Sequence, residues 1–322
     1  MSGELSRAGV IIIGSNSTRM LTADLDAALS NPVAQRMESR LFLALGEGLR
    51  LGAQAVQSLC RDVAALLRQA REAGAERTFL MATDAVRESK NGKDLAYALL
   101  QETGLTLQVL SGQEEAAFSF WGAVHPLPPH EIAGVADIGG GSTEIALGRP
   151  GEVPLSHSLH LGASRLYALR PINSPEEAEK ALEVAGKIAR EGVNAMAQST
   201  LTQPSRHWGD PSQWLLVGGT GTALMGLLKG VPFLRTQPDL PFTRGQVLAT
   251  LHALSVLPPQ ARALLPGMPR GREHILPTGL AALAALMEAL NLGHMTVTGR
   301  NNTDGALWRL AHQGHLRVDE RL

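Results

Sequence analysis

The 322-residue chain lacks the means to be several kinds of protein. It has a single cysteine, Cys60, so no disulfide can close within it, and the chain suits a reducing compartment. It has no excess of either charge: 29 Lys and Arg stand against 30 Asp and Glu, a formal net charge of −1. That balance excludes a broadly basic nucleic-acid-binding or membrane-surface protein, so an anionic ligand must be met by local cations and backbone donors. No apolar run approaches the roughly 20 residues of a membrane span, because charges, glycines or prolines interrupt each candidate. The N-terminal region shows no secretory signal, since its apolar stretch Val10–Ile13 ends at Gly14 without a small-residue cleavage site. The expectation is a cytoplasmic protein with no membrane and no nucleic acid as partner.

What is present suits a folded α/β protein. The apolar fraction is 44%, and 322 residues are enough for two domains with sizeable cores. Strands are expected at Val10–Ile13, Arg19–Ala23, Thr78–Ala82, Leu105–Leu110, Trp214–Val217 and Met295–Thr298, with a strand–turn–strand at Val135–Leu147. Helices are expected at Ala53–Ala73, which has Val56, Leu59, Val63, Leu66 and Leu67 at helical spacing, and at Lys93–Thr103, Pro175–Gln198 and Ala281–Leu290. A polar stretch, Ser199–Pro211, separates two of these elements. The stiff run His125-Pro126-Leu127-Pro128-Pro129-His130 places a boundary between a first domain, residues 1–125, and a second, 126–322. By composition alone the run serves equally well as a Pro-rich loop within one domain.

The chain repeats itself. Gly9–Arg19 can be laid over Gly134–Glu144 at a constant offset of 125, with Gly, Val, Ile, Gly, Ser and Thr coinciding. The second copy reads Asp137-Ile138-Gly139-Gly140-Gly141-Ser142-Thr143-Glu144. Successive glycines let backbone amides approach an anion closely, Ser142 and Thr143 add hydroxyl donors, and Asp137 at the strand end suits a hydrated divalent metal. Glu114-Glu115 serves equally well as a solvated acidic pair opening a helix. His157 with His160, and His312 with His315, have ligand-like spacing, but no cysteine or carboxylate set completes a zinc site.

Taken together these motifs resemble the exopolyphosphatase / guanosine pentaphosphate phosphohydrolase (Ppx/GppA) family, of the actin, chaperone ATPase and sugar kinase superfamily. The resemblance runs in order through Gly14–Arg19, Leu45-Gly46-Glu47-Gly48-Leu49, Ala82–Arg87 with Asn91-Gly92, Ser111–Ala116, Asp137–Glu144, Val217–Thr222 and Ile275–Gly279. It implies α/β architecture with two actin-like (ribonuclease H-like) domains and a cleft between them, in the family's short form. It implies a phosphoanhydride hydrolase that uses Mg²⁺ (or Mn²⁺) to release terminal phosphate from inorganic polyphosphate or guanosine pentaphosphate. A homodimer is a further expectation.

Residue by residue, the resemblance makes Glu115 the general base, ahead of its neighbour Glu114, with Asp137 and Glu144 serving the metal or the attacking water. Gly14, Ser15, Asn16 and Ser17, and Gly139, Gly140, Gly141, Ser142 and Thr143, grip phosphate through two loops, and Arg19 and Arg87 add guanidinium forks. Gly218, Gly219 and Thr220 match a turn on the superfamily's nucleotide side. The chain departs from the family at Ile12, where the first loop usually has an aspartate, at Asp84, where a small polar residue is usual, and at His274 and Asn302-Thr303. These departures keep a second function class open: an impaired member that binds polyphosphate or an alarmone as a sensor or scaffold. A kinase of the same superfamily is disfavoured by the setting of Glu114-Glu115.

Overall fold

The protein is described from a computed structural model covering residues 5–46, 48–202 and 210–318. Glu47 of the Leu45–Leu49 motif, and residues 203–209 of the polar stretch, lie outside the described residues. The chain divides into two compact units, one of Met1–Pro126 with Asn302–Leu322 and one of Leu127–Asn301.

The first unit opens with an antiparallel meander, β1 (Arg7–Ile13), β2 (Ser17–Asp24) and β3 (Val33–Glu38). It continues through α1 (Leu41–Ala44), α2 (Ala53–Glu72), β4 (Arg77–Ala82), α3 (Asp84–Glu88), α4 (Gly92–Thr103), β5 (Leu107–Val109) and α5 (Gly112–Val124). The sheet order is β3-β2-β1-β4-β5, with β4 parallel to both β1 and β5. The uninterrupted apolar run of β1 is that of a central strand covered on both faces. On one face, the stripe Leu59, Val63, Leu66 and Ala70 of α2 packs with Ile11, Ile13 and Met20.

The second unit repeats this plan with β6 (Ala133–Ile138), β7 (Thr143–Gly148), β8 (Leu155–Leu159), α6 (Ala163–Leu169), α7 (Pro175–Thr202), β9 (Gln213–Val217) and α8 (Gly219–Lys229). It adds β10 (Leu240–Thr243), α9 (Arg244–Ser255), α10 (Pro259–Arg262), α11 (Leu276–Ala289) and β11 (His294–Val297). Its order, β8-β7-β6-β9-β11, matches that of the first unit, and β10 extends the edge beyond β11. Every residue of α11 from Leu276 to Met287 is buried, as expected of a helix apolar on all sides.

The last helix, α12 (Asn302–Gln313), belongs to the first unit, whereas the Pro-rich run had suggested one domain from 126 to 322. The cause is apolar packing on α5. Trp308 lies 6.1 Å from Trp121 between ring centroids, the Arg309 guanidinium lies 4.9 Å over the Trp121 ring, and Gly305 fits against the Phe118 carbonyl. No helix among the described residues is long and apolar enough to cross a membrane.

Candidate functional site

The two copies of the repeat form the same hairpin. Ile12 pairs with Arg19 across β1 and β2, and Asp137 pairs with Glu144 across β6 and β7, so the 125-residue offset holds in the strand register. Each turn is closed by one backbone bond, Gly14 N to Ser17 O at 3.1 Å and Gly139 N to Ser142 O at 3.0 Å. A Cβ at position 14 would stand 2.9 Å from the Ser17 carbonyl oxygen, and one at 139 would stand 3.0 Å from that of Ser142. Glycine is required there by close approach; none of Gly14, Gly139, Gly140 and Gly141 has a positive φ.

The turn carbonyls are held from behind. Asn16 O accepts the amides of Ser39 and Arg40 at 3.0 and 2.9 Å, and Ser15 O accepts that of Phe42 at 2.8 Å. In the second unit Gly140 O accepts the amides of Ser164 and Arg165 at 2.7 and 3.0 Å, and Gly139 O that of Ala163 at 3.0 Å. The amides of Ser15, Asn16, Gly140 and Gly141 donate to no protein group among the described residues. Carbonyls tied back with amides left over make a concave donor surface suited to phosphate oxygens. Two buried acceptors beside these turns, Asn16 Oδ1 and Ser164 Oγ, also lack a hydrogen-bond partner among the described residues.

The hydroxyls divide between two tasks. Ser15 faces Asp84, with Oγ 3.5 Å from Oδ2. Thr143, expected to add a donor for phosphate, is instead 1% exposed and its hydroxyl donates to the Leu161 carbonyl, which fastens β7 to the segment between β8 and α6. Ser17 and Ser142 are buried at the two turns.

In the first unit, Glu114 and Glu115 part company. Ser111 caps α5 in a reciprocal box: its side chain accepts from Glu114 N at 3.2 Å, while Glu114 Oε2 accepts from Ser111 N at 2.8 Å. Glu115 points inward, 6% exposed, and accepts from Arg87 Nη1 at 3.2 Å. Arg87 also donates to the Leu110 carbonyl at 2.7 Å and to Asp84 Oδ1 at 3.4 Å. A continuous polar line therefore runs from the first hairpin through Ser15, Asp84 and Arg87 to Glu115. Ile12 is 2% exposed within β1, and Asp84 is the buried carboxylate next to that hairpin.

In the second unit, Asp137 and Glu144 are buried side by side on neighbouring strands. Ser158 Oγ donates to Glu144 Oε1 at 2.8 Å. The turn at Gly218 packs against Asp137: at φ +89° it favours glycine, and a Cβ there would stand 2.5 Å from Asp137 Oδ1. Gly219 and Thr220 begin α8, and Thr220 Oγ1 lies 3.5 Å from the Ile138 carbonyl. Buried oxygens of this kind, cleared of side-chain bulk by a glycine, form a donor set suited to a hard divalent cation such as Mg²⁺ or Mn²⁺.

Sequence reasoning missed two cations beside the hairpins. Arg165 Nε donates to the Gly141 carbonyl at 2.6 Å, from the first turn of α6. Arg36 on β3 lies opposite Arg19 and pairs with Glu38 on its own strand. Arg165 stands three residues after Gly162, the N-cap of α6, and Arg36 lies in a strand with no apolar alternation. Neither position has a local signal. His157 is on β8, where burial depresses its pKa, and His274 lies edge-on to Tyr167 with 6.3 Å between ring centroids.

Two α/β units of one strand order, each opened by the same glycine hairpin, define a duplicated actin-like (ribonuclease H-like) fold. The chain belongs to the Ppx/GppA phosphatase family, whose model matches residues 35–313, and is thereby an exopolyphosphatase-family phosphatase. It is 29% identical to exopolyphosphatase 2 of Mycobacterium tuberculosis across 95% of this chain and 99% of that protein. Its fold is that of an exopolyphosphatase from Cytophaga hutchinsonii (TM-score 0.82, 19% identity, 97% and 100% of the two chains). It is also that of an Aquifex aeolicus Ppx/GppA family member (TM-score 0.75, 20% identity, 97% and 99%).

Proposed function

We propose that the protein is a metal-dependent phosphoanhydride hydrolase that removes the terminal phosphate from inorganic polyphosphate or guanosine pentaphosphate. The observation that carries this reading is the pair of hairpins whose carbonyls are bonded backward while amides remain free. Family membership and the likeness to the mycobacterial exopolyphosphatase 2 support the polyphosphate substrate.

In this mechanism Glu115 accepts the proton of a water molecule as the water oxygen attacks the terminal phosphorus. The phosphoanhydride bond breaks, and the shortened chain leaves with the bridging oxygen. Arg87 orients the Glu115 carboxylate, and the amides of Ser15, Asn16, Gly140 and Gly141 bind phosphate oxygens. Asp84 supplies the first unit with the carboxylate that Ile12 does not. Asp137 and Glu144 would hold Mg²⁺ or Mn²⁺, which when bound offsets charge on the phosphate groups. The buried lone Cys60 fits a cytoplasmic setting.

Ile12 favours one other reading, a member that binds polyphosphate or an alarmone without turning it over. Phosphate release from polyphosphate and from guanosine pentaphosphate, with and without Mg²⁺, decides between them. Metal-dependent release from either substrate that disappears in Glu115→Gln supports the hydrolase. Tight binding of polyphosphate with no release supports the binder.

A further inference from the structure

The duplicated hairpins carry opposite chemistry on the same cross-strand row. In the second unit the row reads Val217, Asp137, Glu144, Ser158 across β9, β6, β7 and β8. In the first it reads Met81, Ile12, Arg19, Arg36 across β4, β1, β2 and β3. Glu144 of one copy is thus matched by Arg19 in the other, Ser158 by Arg36, and Asp137 by the apolar Ile12.

Arg19 faces no acid in this row: its neighbour on β1 is Ile12 and its neighbour on β3 is a second arginine. No hydrogen bond or ion pair engages the Arg19 side chain among the described residues. Like charges directly opposite on paired strands destabilise a sheet, so a purely structural design would set an acid there. Arg36 is steered by Glu38, which pairs with it on the same strand and also accepts from Asn16 Nδ2 at 3.0 Å. One carboxylate therefore ties Arg36 to the turn whose Ser15 and Asn16 amides are free.

We propose that Arg36 joins Arg19 in a two-guanidinium clamp on the phosphate chain, making the first hairpin the polyanion grip of the protein. The clamp deepens the hydrolase reading and rests on it, since the ligand is the same phosphate chain. Forked guanidinium groups suit it because each takes two oxygens of one phosphate group or bridges two groups. The cross-strand repulsion between Arg19 and Arg36 is relieved when an anion lies between them.

The test is calorimetric binding of tripolyphosphate by the full chain with EDTA present, so that neither turnover nor metal enters. Arg36→Ala is expected to weaken binding about tenfold or more, the scale of one hydrogen-bonded charge. Arg36→Lys keeps the charge and loses the fork, and is expected to lie between wild type and Arg36→Ala, which also covers the case in which the alanine variant fails to fold. The Arg19→Ala/Arg36→Ala double variant is expected to lose less than the product of the two single losses, because both grip one ligand. Arg61→Ala on α2 is the control for general charge. Binding within twofold of wild type in both Arg36 variants overturns the clamp while leaving the hydrolase reading intact. Absence of tripolyphosphate binding in wild type, together with absence of phosphate release, overturns both.

Discussion

Glu115 meets Arg87 at 3.2 Å, while its chain neighbour Glu114 closes the capping box of the same helix. Adjacent residues of one type thus serve separate purposes, and substitution separates them. Glu115→Gln is expected to lower phosphate release about 10²–10⁴-fold while tripolyphosphate binding persists. Glu114→Ala is expected to lower stability by about 0.5–2 kcal/mol, read by urea unfolding, with phosphate release maintained. The reverse pattern would assign the base to Glu114.

Gly218 is expected to be intolerant of a methyl group. Its φ of +89° and the 2.5 Å approach of a Cβ to Asp137 Oδ1 act together. Gly218→Ala should lower stability by about 1–3 kcal/mol and weaken Mn²⁺ binding measured by electron paramagnetic resonance. Retained Mn²⁺ affinity in a folded variant would detach Asp137 from the metal.

Asp84 is the acid that the family pattern does not call for, and it contacts both Ser15 and Arg87. Asp84→Asn should reduce phosphate release about 10–100-fold, the range for residues that orient a reacting shell. Unchanged turnover would leave the first unit functioning without any carboxylate in place of the missing one at Ile12.

Burial depresses the pKa of His157 from its ordinary 6.5. The unfolded chain therefore binds the proton more readily than the folded one. Stability is fully present above 6.5 and is lost as pH falls from there toward the lower folded value. Urea midpoints between about pH 5 and 7.5 should rise with pH in wild type, and His157→Gln should flatten that slope. An identical slope in both proteins would place the acid sensitivity elsewhere.

Trp308 is 7% exposed and stacks on His312 with 4.2 Å between centroids, besides meeting Trp121. Trp308→Ala should cost about 3–5 kcal/mol by urea unfolding. A loss under about 1 kcal/mol would show that α12 is held by other contacts.

The parts of the structure that the sequence made legible are those with local signals. Gly9–Arg19 and Gly134–Glu144 revealed the duplicated hairpin because glycine and hydroxyl positions coincide in register. The stripe of α2 was legible from its apolar spacing. β3 was not, because Val33–Glu38 is almost wholly exposed and its residues mix charge with small apolar groups. Arg36, which it carries, was hidden with it. Glu115 was separable from Glu114 only through resemblance, since the capping box needs Ser111 and Glu114 placed on a formed helix end. The boundary drawn at the Pro-rich run missed α12, because nothing near Asn302–Gln313 in the chain tells that Trp308 will meet Trp121.

The return of α12 to the first unit has a consequence for biosynthesis. The first unit is discontinuous, and its remaining segment lies after the whole of the second unit. A ribosome therefore delivers the buried face of α5, with Trp121, long before the helix that covers it. The second unit has its complete sequence when residue 301 emerges, ahead of the unit that begins the chain. The unit begun first is thus completed last, and a nascent chain halted before Asn302 lacks the helix that covers Trp121.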